Sequence, residues 1–421
     1  MQYRRGRILV MLFLLLTINY VDRIALSVAA KSVATEFSLS PVQIGYLFSS
    51  FLWTYALALV PCGILVDRYG GRIISTLGLA VWSLATLLTA ATWNFTSILG
   101  MRLALGLGEA TTLPAGGRIV REWMPANERA TAIAVFSSGT FAGPALGALI
   151  VGAVSSAYGW RASFLVIGAL STLWVLCYAL WYRRPEEAKW LTEGERNIII
   201  DNRDPAPPPA APSSASVGMR ELLRSPTMWG LCITQATVVY ASYLLLFWLP
   251  SYLQATKGLT IMATGLFTAL PYAVAAPASV GVGFLSDRLL SRKGIFEGRR
   301  RIAVAIMVCL SATLLLVPFV SNLWGLLAIF TITLTAIASS LALNVALVSD
   351  LLHDPRHIGK ATSLLVLGGN AFGLLAPIIT GYVVAGLGSY DWAFGIAGIL
   401  LLIGACAPGL MTRHPIRDNK A

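Results

Sequence analysis

Twelve stretches of the chain are almost entirely apolar, and polar segments separate them. Each stretch has about 20 residues or more, and an α-helix of that length, at 1.5 Å per residue, crosses the ~30 Å of hydrocarbon in a bilayer. The pattern therefore predicts an all-α membrane protein with twelve transmembrane helices. The predicted helices cover residues 8–30, 42–66, 73–92, 95–120, 129–154, 161–182, 227–254, 262–286, 302–321, 323–350, 358–386 and 391–411.

The composition agrees with this class. Hydrophobic residues make up 57% of the 421 residues and charged residues only 12%, whereas a soluble protein has about a quarter charged residues. The net charge of +12 could suggest a nucleic-acid partner, but the basic residues are scattered over separate loops. Because nucleic-acid binding needs a continuous basic face, no nucleic acid is expected. The five cysteines lie in apolar stretches without paired spacing and predict neither a disulfide framework nor a metal site.

The positive charge is concentrated in the loops on one side of the predicted membrane. With the N-terminus on that side, 26 of the 31 Lys and Arg residues lie there and 3 lie opposite, while Arg23 and Arg102 fall inside predicted helices. Because cytoplasmic loops are enriched in Lys and Arg, both termini are predicted to be cytoplasmic. The expected location is a plasma membrane, which in a bacterium is the inner membrane.

One long polar segment divides the chain. It separates an N-terminal half of six helices, residues 1–183, from a C-terminal half of six helices, residues 227–421. The segment between them, residues 184–226, is predicted to be a cytoplasmic linker with a short surface helix over Pro185–Arg196. The proline-rich stretch Asp204–Ser214 is too rich in proline to pack and predicts a tether between the halves.

The two halves carry the same loop motif. Gly63–Arg72 follows the second predicted helix and Gly283–Arg288 follows the eighth, so that G-x-x-x-D-R recurs 220 positions later. Duplicated halves are typical of transporters whose site lies between the repeats, near the bilayer midplane. The charged residues of the motif lie at the cytoplasmic helix ends, where we expect gating rather than substrate contact. These gating candidates are Asp67, Arg68, Arg72, Asp287 and Arg288.

With these motifs the chain resembles the major facilitator superfamily over essentially its whole length. The Gly63–Arg72 loop is similar to the signature of that family, and Arg102–Glu109 is similar to a second motif, R-x-x-x-G-x-G. Within the superfamily, Asn19–Arg23 and Phe247–Leu253 resemble the anion:cation symporter group. That group carries sugar acids, hexuronates, phthalates and related carboxylates with protons, and it includes the sialin-type carriers. The resemblance implies the major facilitator fold and proton-coupled transport of an organic anion.

Two pairs of opposite charges lie inside predicted helices. Asp22 and Arg23 are neighbours in the first helix, and Arg102 and Glu109 lie two turns apart on one face of the fourth. The helical rise places Arg102 near the depth of Asp22, which predicts an Asp22–Arg102 bridge. No arginine is expected at the depth of Glu109. Because burial without a partner favours the neutral form of a carboxyl group, Glu109 is predicted to be the main proton carrier.

The resemblance also implies roles for these four residues. In the resembling symporters, the matching acids on helices 1 and 4 are proton sites and the arginine on helix 1 binds the anion. We therefore expect Arg23 to hold a substrate carboxylate, and Asp22, Glu109 and Arg102 to take part in proton coupling. The alternatives are a structural ion-pair network for Asp22 and Arg23, and a neutral acid bonded to a backbone carbonyl for Glu109.

Polar and aromatic side chains at membrane depth are candidates to complete the substrate site. Tyr20, Tyr55 and Asn370 match positions where the resembling sugar-acid carriers place substrate contacts. Thr140 stands where those carriers have a glutamine, which leaves room for a less hydroxylated or aromatic acid. A packing or interfacial role is the alternative for each tyrosine. The predicted substrate-binding residues are Arg23, Tyr20, Tyr55, Thr140, Tyr243, Asn344 and Asn370.

The sequence thus predicts a secondary active importer of a small organic anion, driven by H+ symport. An anion exchanger or exporter of the same fold is one alternative, and a membrane receptor that binds an anion without moving it is another. No nucleophile–base arrangement lies in a helix interior and no G-x-x-x-x-G-K-[ST] loop is present, so an enzyme is not predicted. The expected partners are the anion, H+ and membrane lipid. No cofactor is expected beyond the proton gradient, and the resemblance implies a monomer.

Overall fold

The computed structural model describes residues 3–125, 128–201, 219–289, 299–352, 358–412 and Ile416. Its first helices are α1 (Tyr3–Phe37), α2 (Pro41–Tyr69), α3 (Gly71–Thr89), α4 (Phe95–Glu109), α5 (Thr112–Trp123), α6 (Arg129–Tyr158), α7 (Trp160–Trp181) and α8 (Glu193–Asp201). The later helices are α9 (Met219–Arg224), α10 (Pro226–Thr256), α11 (Ile261–Leu289), α12 (Arg300–Ser311), a 3₁₀-helix (Ala312–Phe319), α13 (Leu323–Leu351), α14 (Ile358–Gly373), α15 (Leu375–Leu387) and α16 (Asp391–Met411).

Eleven segments of the described chain are long and apolar enough to cross a membrane. They match eleven of the twelve predicted helices, and the all-α membrane class is confirmed. The exception is the stretch 95–120, because the chain breaks there into α4 and α5 instead of forming one continuous helix. Pro114 lies in the first turn of α5, and proline has no N–H with which to continue a helical ladder. The break falls directly after Glu109.

The described helices form two compact units. Unit 1 consists of Met1–Leu39, Ser50–Pro212 and Leu259–Leu266. Unit 2 consists of Ser40–Ser49, Ser213–Gly258 and Phe267–Ala421.

In unit 1, α6 packs so closely along α1 that backbone atoms of the two helices are in contact. Gly139, Gly143 and Gly147 face α1 at every fourth position of α6. A Cβ atom at Gly139 would lie 2.8 Å from the backbone nitrogen of Thr17, closer than real Cβ contacts allow. Small residues permit such close helix packing in a membrane, and the packing gives α1 a fixed rotation about its axis.

The linker segment packs on unit 1 through a stack of indole rings. Trp190 lies between Trp123 and Trp181, at centroid distances of 5.2 and 5.3 Å and with nearly parallel ring planes. Helix α8 begins only at Glu193, where the hydroxyl of Thr192 accepts a hydrogen bond from the backbone of the first turn. The observed helix therefore begins later in the chain than the helix predicted over Pro185–Arg196. Thr192 caps this helix instead of continuing it. The stretch Asp204–Ser214 lies outside the described residues.

In unit 2, α10 is the most deeply buried of the spanning helices that the structure describes. Its Trp248 donates a hydrogen bond from Nε1 to the carbonyl of Pro377 on α15 at 3.1 Å. Two glycines of α14 pack against α10: Gly369 against Gln235, and Gly373 against Val239 and Tyr243. This close packing places the side chain of Asn370, between the two glycines in sequence, next to α10.

Candidate functional site

Arg23 lies in the middle of α1 with only 4% of its surface exposed. Its Nε donates a hydrogen bond to Oε2 of Glu109 at 2.8 Å, which makes a buried ion pair between α1 and α4. The guanidinium carbon also lies 4.6 Å from the ring centre of Tyr20 and 5.1 Å from those of Phe51 and Tyr55. A desolvated cation–π contact is worth about 2 kcal/mol, so this cage of rings favours the charged form and a defined orientation of Arg23.

The Arg23–Glu109 pair corrects the expectation that Glu109 has no arginine at its depth. That expectation was based on the depth of the backbone atoms of α1 and α4 in the membrane. A guanidinium group lies at the end of a long side chain, and it reaches across the difference in height. The side-chain length, not the backbone position, therefore decides which residue is the partner of Glu109.

The position of Glu109 depends on the close packing of α4. A Cβ atom at Gly108 would lie 2.6 Å from the carbonyl oxygen of Gly78 and 2.7 Å from the backbone nitrogen of Trp82. Glu109 is the last residue of α4 and is fully buried. The chain turns immediately after it, so its carboxyl group points into the interior of unit 1 from a helix end.

One carboxylate oxygen of Glu109 is not used by the ion pair. Among the described residues, Oε1 has no partner with hydrogen-bond geometry, and neither do the amide atoms of Asn19, whose side chain lies next to that of Glu109. Both residues are fully buried. A buried polar group without a partner costs about 1–3 kcal/mol. Oε1 therefore adds to the cost of burying this carboxyl group inside unit 1.

Asp22 is buried on another side of α1 and faces α3 and α7. Its Oδ1 accepts a hydrogen bond from the hydroxyl of Thr86 at 3.0 Å, and its Oδ2 accepts one from the hydroxyl of Ser171 at 3.1 Å. Within the described part of the chain these are the hydrogen bonds of Asp22, and the predicted Asp22–Arg102 bridge is not formed. Adjacent residues of a helix point ~100° apart. Asp22 and Arg23 are therefore directed to different neighbours.

Arg102 is buried in α4 with 4% exposure. Its guanidinium carbon lies 4.7 Å from the ring centre of Phe51, the same ring that contacts Arg23. Both buried arginines therefore lie within cation–π distance of the ring of Phe51.

The predicted polar residues of unit 2 form two separate hydrogen-bonded groups. The hydroxyl of Tyr243 donates to Oδ1 of Asn370 at 2.8 Å, between α10 and α14. Asn344 on α13 donates from Nδ2 to Oε1 of Gln235 at 3.0 Å and to the carbonyl of Leu231 at 3.1 Å. Tyr243 and Asn344 are buried, and Asn370 is half-buried. Thr140, on α6 of unit 1, is half-buried beside the glycines that pack on α1.

The loop motif of unit 1 contacts the ends of α5 and α7. Arg118 donates two hydrogen bonds to the carbonyls of Val66 and Asp67, and its Nη1 lies 3.8 Å from Oδ1 of Asp67. Arg72 donates to the carbonyl of Ala179 at 2.9 Å, and Arg68 is exposed. Gly70 has a φ of +90°, a conformation that favours glycine.

The copy of the motif in unit 2 lies at the end of α11. Arg288 is exposed, with its guanidinium carbon 4.7 Å from the ring centre of Phe284. The side chain of Asp287 lies outside the described residues. The gating role of the five motif residues stays a prediction.

Several neighbours of the charged residues are not predicted from the sequence. Hydroxyl and aromatic residues are frequent in apolar stretches, so their sequence positions carry little signal. The residue with a usable signal is Asn19, because an amide in the middle of a membrane-spanning helix is unusual. The neighbours of the charged residues that the sequence does not predict are Asn19, Phe51, Thr86 and Ser171, and Gln235 is the unpredicted partner of Asn344.

Comparison with known proteins places the chain in a family. The model of the Major Facilitator Superfamily matches residues 12–296 and 294–420. The probable L-galactonate transporter of Escherichia coli K12 is 31% identical over 427 residues, which cover 98% of this chain and 90% of the relative. The probable galactarate/D-glucarate transporter GarP of the same organism is 31% identical over 418 residues, which cover 95% of this chain and 93% of the relative.

A solved structure has the same fold. The inward-facing, occupied structure of a bacterial homologue of the human lysosomal transporter Spinster aligns over 100% of both chains with a TM-score of 0.75 and 22% identity. The family consists of membrane transporters rather than enzymes, and transporters of this type need no cofactor. Since the family model covers nearly the whole chain and the relatives match it from end to end, this multi-pass membrane protein belongs to the Major Facilitator Superfamily and is a transporter.

Proposed function

We propose that the protein imports a small organic acid anion together with protons, by alternating access. One observation carries the proposal: a buried arginine in the middle of a membrane-spanning helix is paired with a buried glutamate that has a free oxygen. Buried charges are costly in a membrane and are usually functional. The arginine supplies a binding group for an anion, and the glutamate supplies a group that can take up a proton.

The proposed substrate is a carboxylate of the sugar-acid type. The relatives described above are named as transporters of L-galactonate, galactarate and D-glucarate, all of them anions with a carboxylate. A guanidinium group binds a carboxylate through two parallel N–H···O bonds. We propose that the guanidinium of Arg23, which lies against the rings of Tyr20 and Tyr55, makes such a fork with the substrate.

Coupling follows from competition for Arg23. While Glu109 is ionised, it holds the guanidinium of Arg23 at 2.8 Å, and a substrate carboxylate gains little. When Glu109 takes up a proton on its free oxygen, it gives up most of its attraction for Arg23, and the arginine is available to the anion. Proton and anion therefore favour each other's binding, which is the reciprocal coupling that symport requires.

Asp22 and Arg102 complete the proton-coupling set. Asp22 accepts hydrogen bonds from the hydroxyl groups of Thr86 and Ser171. Its negative charge lies one residue from Arg23, so a change in its protonation alters the field at the anion site. Arg102 contributes a second buried positive charge beside the ring of Phe51.

The neutral polar groups are proposed to bind the rest of the substrate. Tyr20 and Tyr55 adjoin Arg23 in unit 1, and Thr140 lies on the neighbouring α6. In unit 2 the Tyr243–Asn370 pair and the amide of Asn344 offer donors and acceptors that suit hydroxyl groups. None of these groups carries a charge, so they distinguish substrates by hydroxyl pattern rather than by charge.

The organisation of the chain is proposed from its charge and repeats. Residues 1–183 and 227–421 act as two six-helix halves joined by the linker 184–226. From the excess of Lys and Arg on one side we infer that both termini lie in the cytoplasm, in a bacterium inside the inner membrane. Asp67, Arg68, Arg72, Asp287 and Arg288 gate the cytoplasmic side, and the protein works as a monomer.

Transport by purified protein in liposomes tests the proposal. We expect an inward proton gradient to drive accumulation of galactarate, D-glucarate or L-galactonate above the external concentration, and a protonophore to abolish it. Uptake that requires internal anion and ignores the gradient would indicate an exchanger instead. Binding measured by thermal shift without any flux would indicate a receptor.

A further inference from the structure

A groove of about 230 Å³ opens between α1 and α7, on the outside of unit 1. Both helices span the membrane, so the groove is open to lipid. Its walls are almost entirely apolar, and the one charged residue among the lining residues is Arg7. The lining residues are Arg7, Val10, Met11, Leu14, Trp174, Cys177, Tyr178 and Trp181.

Arg7 differs from its neighbour Arg5 in its partners. Arg5 is buried and pairs with Glu128 at 3.0 Å and with Glu195 at 3.6 Å. Arg7 is exposed, and among the described residues no carboxylate pairs with it. One of the two arginines is therefore part of the protein's own ion-pair structure, while the other keeps its charge for a partner from outside.

The guanidinium of Arg7 is positioned by a rigid aromatic platform. Its central carbon lies 5.9 Å from the ring centre of Trp190. That ring is clamped between Trp123 and Trp181 with ring planes 7° and 11° apart. Trp181 also lines the groove. The stacked rings of Trp123, Trp190 and Trp181 therefore hold the positive charge of Arg7 at the end of the groove. Trp and Arg at a helix end mark the headgroup level of a membrane.

We propose that this groove binds one anionic phospholipid, with the phosphate at Arg7 and an acyl chain along Val10, Leu14 and Cys177. The groove runs about two helical turns from Arg7 to Leu14, or roughly 10 Å into the hydrocarbon. The acyl chain is surrounded by hydrocarbon both before and after binding. Its contacts with the groove therefore add little affinity, and they select among lipids by shape. Preference for an anionic lipid therefore comes from Arg7, and basic pockets between membrane helices are a known setting for anionic headgroups.

The charge argues against the chain's own linker as the occupant. Residues 202–218 contain one arginine and one aspartate, Arg203 and Asp204, and carry no net charge. Such a segment offers Arg7 no excess of negative charge. A phospholipid of net negative charge offers both the anionic head and the apolar tail that the groove fits.

Native mass spectrometry of the purified full chain tests this. The protein is equilibrated with an equal mixture of phosphatidylglycerol and phosphatidylcholine, and the ratio of the two lipids that stay bound is measured. We expect Arg7→Gln to reduce the bound ratio of phosphatidylglycerol to phosphatidylcholine by about fivefold, which corresponds to ~1 kcal/mol for one arginine at a membrane surface. Arg224→Gln, which removes an exposed arginine on α9 outside the groove, is expected to leave the ratio unchanged.

A second variant tests the groove separately from the charge. Cys177→Trp fills the groove while Arg7 stays in place, and we expect it to lower the bound phosphatidylglycerol as strongly as Arg7→Gln does. If the wild type and Arg7→Gln bound phosphatidylglycerol and phosphatidylcholine in the same ratio, the proposal would be overturned. Another occupant of the groove, such as residues 202–218, would then be favoured. An equal loss in Arg224→Gln, or full retention of phosphatidylglycerol in Cys177→Trp, would overturn it as well.

Discussion

The two units bury different kinds of polar groups. Unit 1 buries four formal charges inside its membrane helices: Asp22, Arg23, Arg102 and Glu109. In unit 2 the interiors of α10, α13, α14 and α15 contain no Asp, Glu, Lys or Arg, and the described charged pair Arg300–Asp350 lies at helix ends. The polar residues in those interiors include Gln235, Tyr243, Asn344 and Asn370. The two units, each of which carries the loop motif, therefore differ in the chemistry of their cores.

This difference suggests a division of labour. A buried charge pair responds to protons and anions, because its energy changes by several kcal/mol when one charge is lost. Neutral amides and hydroxyls respond to the hydrogen-bonding pattern of a ligand and are insensitive to pH. We expect mutations of the four buried charges of unit 1 to change anion binding or whether transport is driven, and mutations of the neutral polar groups of unit 2 to change which anion is preferred.

The largest effect is expected from Arg23→Ala. Removing one partner of a buried charge pair costs about 2–5 kcal/mol, so affinity for the anion should fall by about two orders of magnitude or more. Thermal-shift titration with the transported anion measures the affinity. Arg224→Ala, on an exposed helix of unit 2, is the control and should bind normally. Wild-type affinity in Arg23→Ala would remove this residue from the anion site.

A large but more selective effect is expected from Glu109→Gln. The neutral amide imitates the protonated acid, so anion binding and counterflow exchange should survive while accumulation driven by a proton gradient is lost. Counterflow and gradient-driven uptake are measured on the same liposomes. Glu187→Gln, which changes an exposed acid of the linker, should keep both activities. Accumulation by Glu109→Gln at the wild-type level would refute the coupling role.

An intermediate effect on stability is expected from Gly108→Ala. The added methyl group would lie 2.6 Å from the carbonyl oxygen of Gly78, and such overpacking costs about 1–3 kcal/mol. The midpoint of thermal unfolding should fall. Gly100→Ala on the same helix meets no atom within 4 Å and should leave the midpoint unchanged or slightly higher. Equal midpoints of thermal unfolding for the two variants would contradict the close backbone packing of α4 against α3.

The smallest effect is expected from Tyr243→Phe. The change removes the hydroxyl that donates to Asn370 at 2.8 Å, and one neutral hydrogen bond is worth about 0.5–1.5 kcal/mol. The preference between galactarate and a less hydroxylated acid should change a few-fold, with the dependence on the proton gradient unaltered. Competition for uptake measures the preference. Tyr382→Phe, at an exposed position, is the control, and a loss of proton dependence in Tyr243→Phe would break the division between the units.

Features of the protein that depend on a local pattern of residues could be predicted from the sequence. Eleven spans follow from hydrophobicity, and the four buried charges stand out because charged residues are rare in apolar stretches. The helix break after Glu109 is missed, since the apolar run continues through it and only Pro114 marks it. The pairing is also predicted wrongly, because Asp22 bonds to Thr86 and Ser171, while Glu109 bonds to Arg23.

By itself, the sequence determines that this is a multi-pass membrane protein, where its helices run and which charges they bury. These properties depend on whether each residue is more stable in water or in the bilayer. For an apolar stretch, this preference is set by the residues of the stretch itself. The tertiary structure decides which charge meets which partner. That outcome depends on the rotation of α1 and α4, which glycine packing sets, and on the reach of the arginine side chain. The free oxygen of Glu109 and the open groove at Arg7 exist only after the helices have packed.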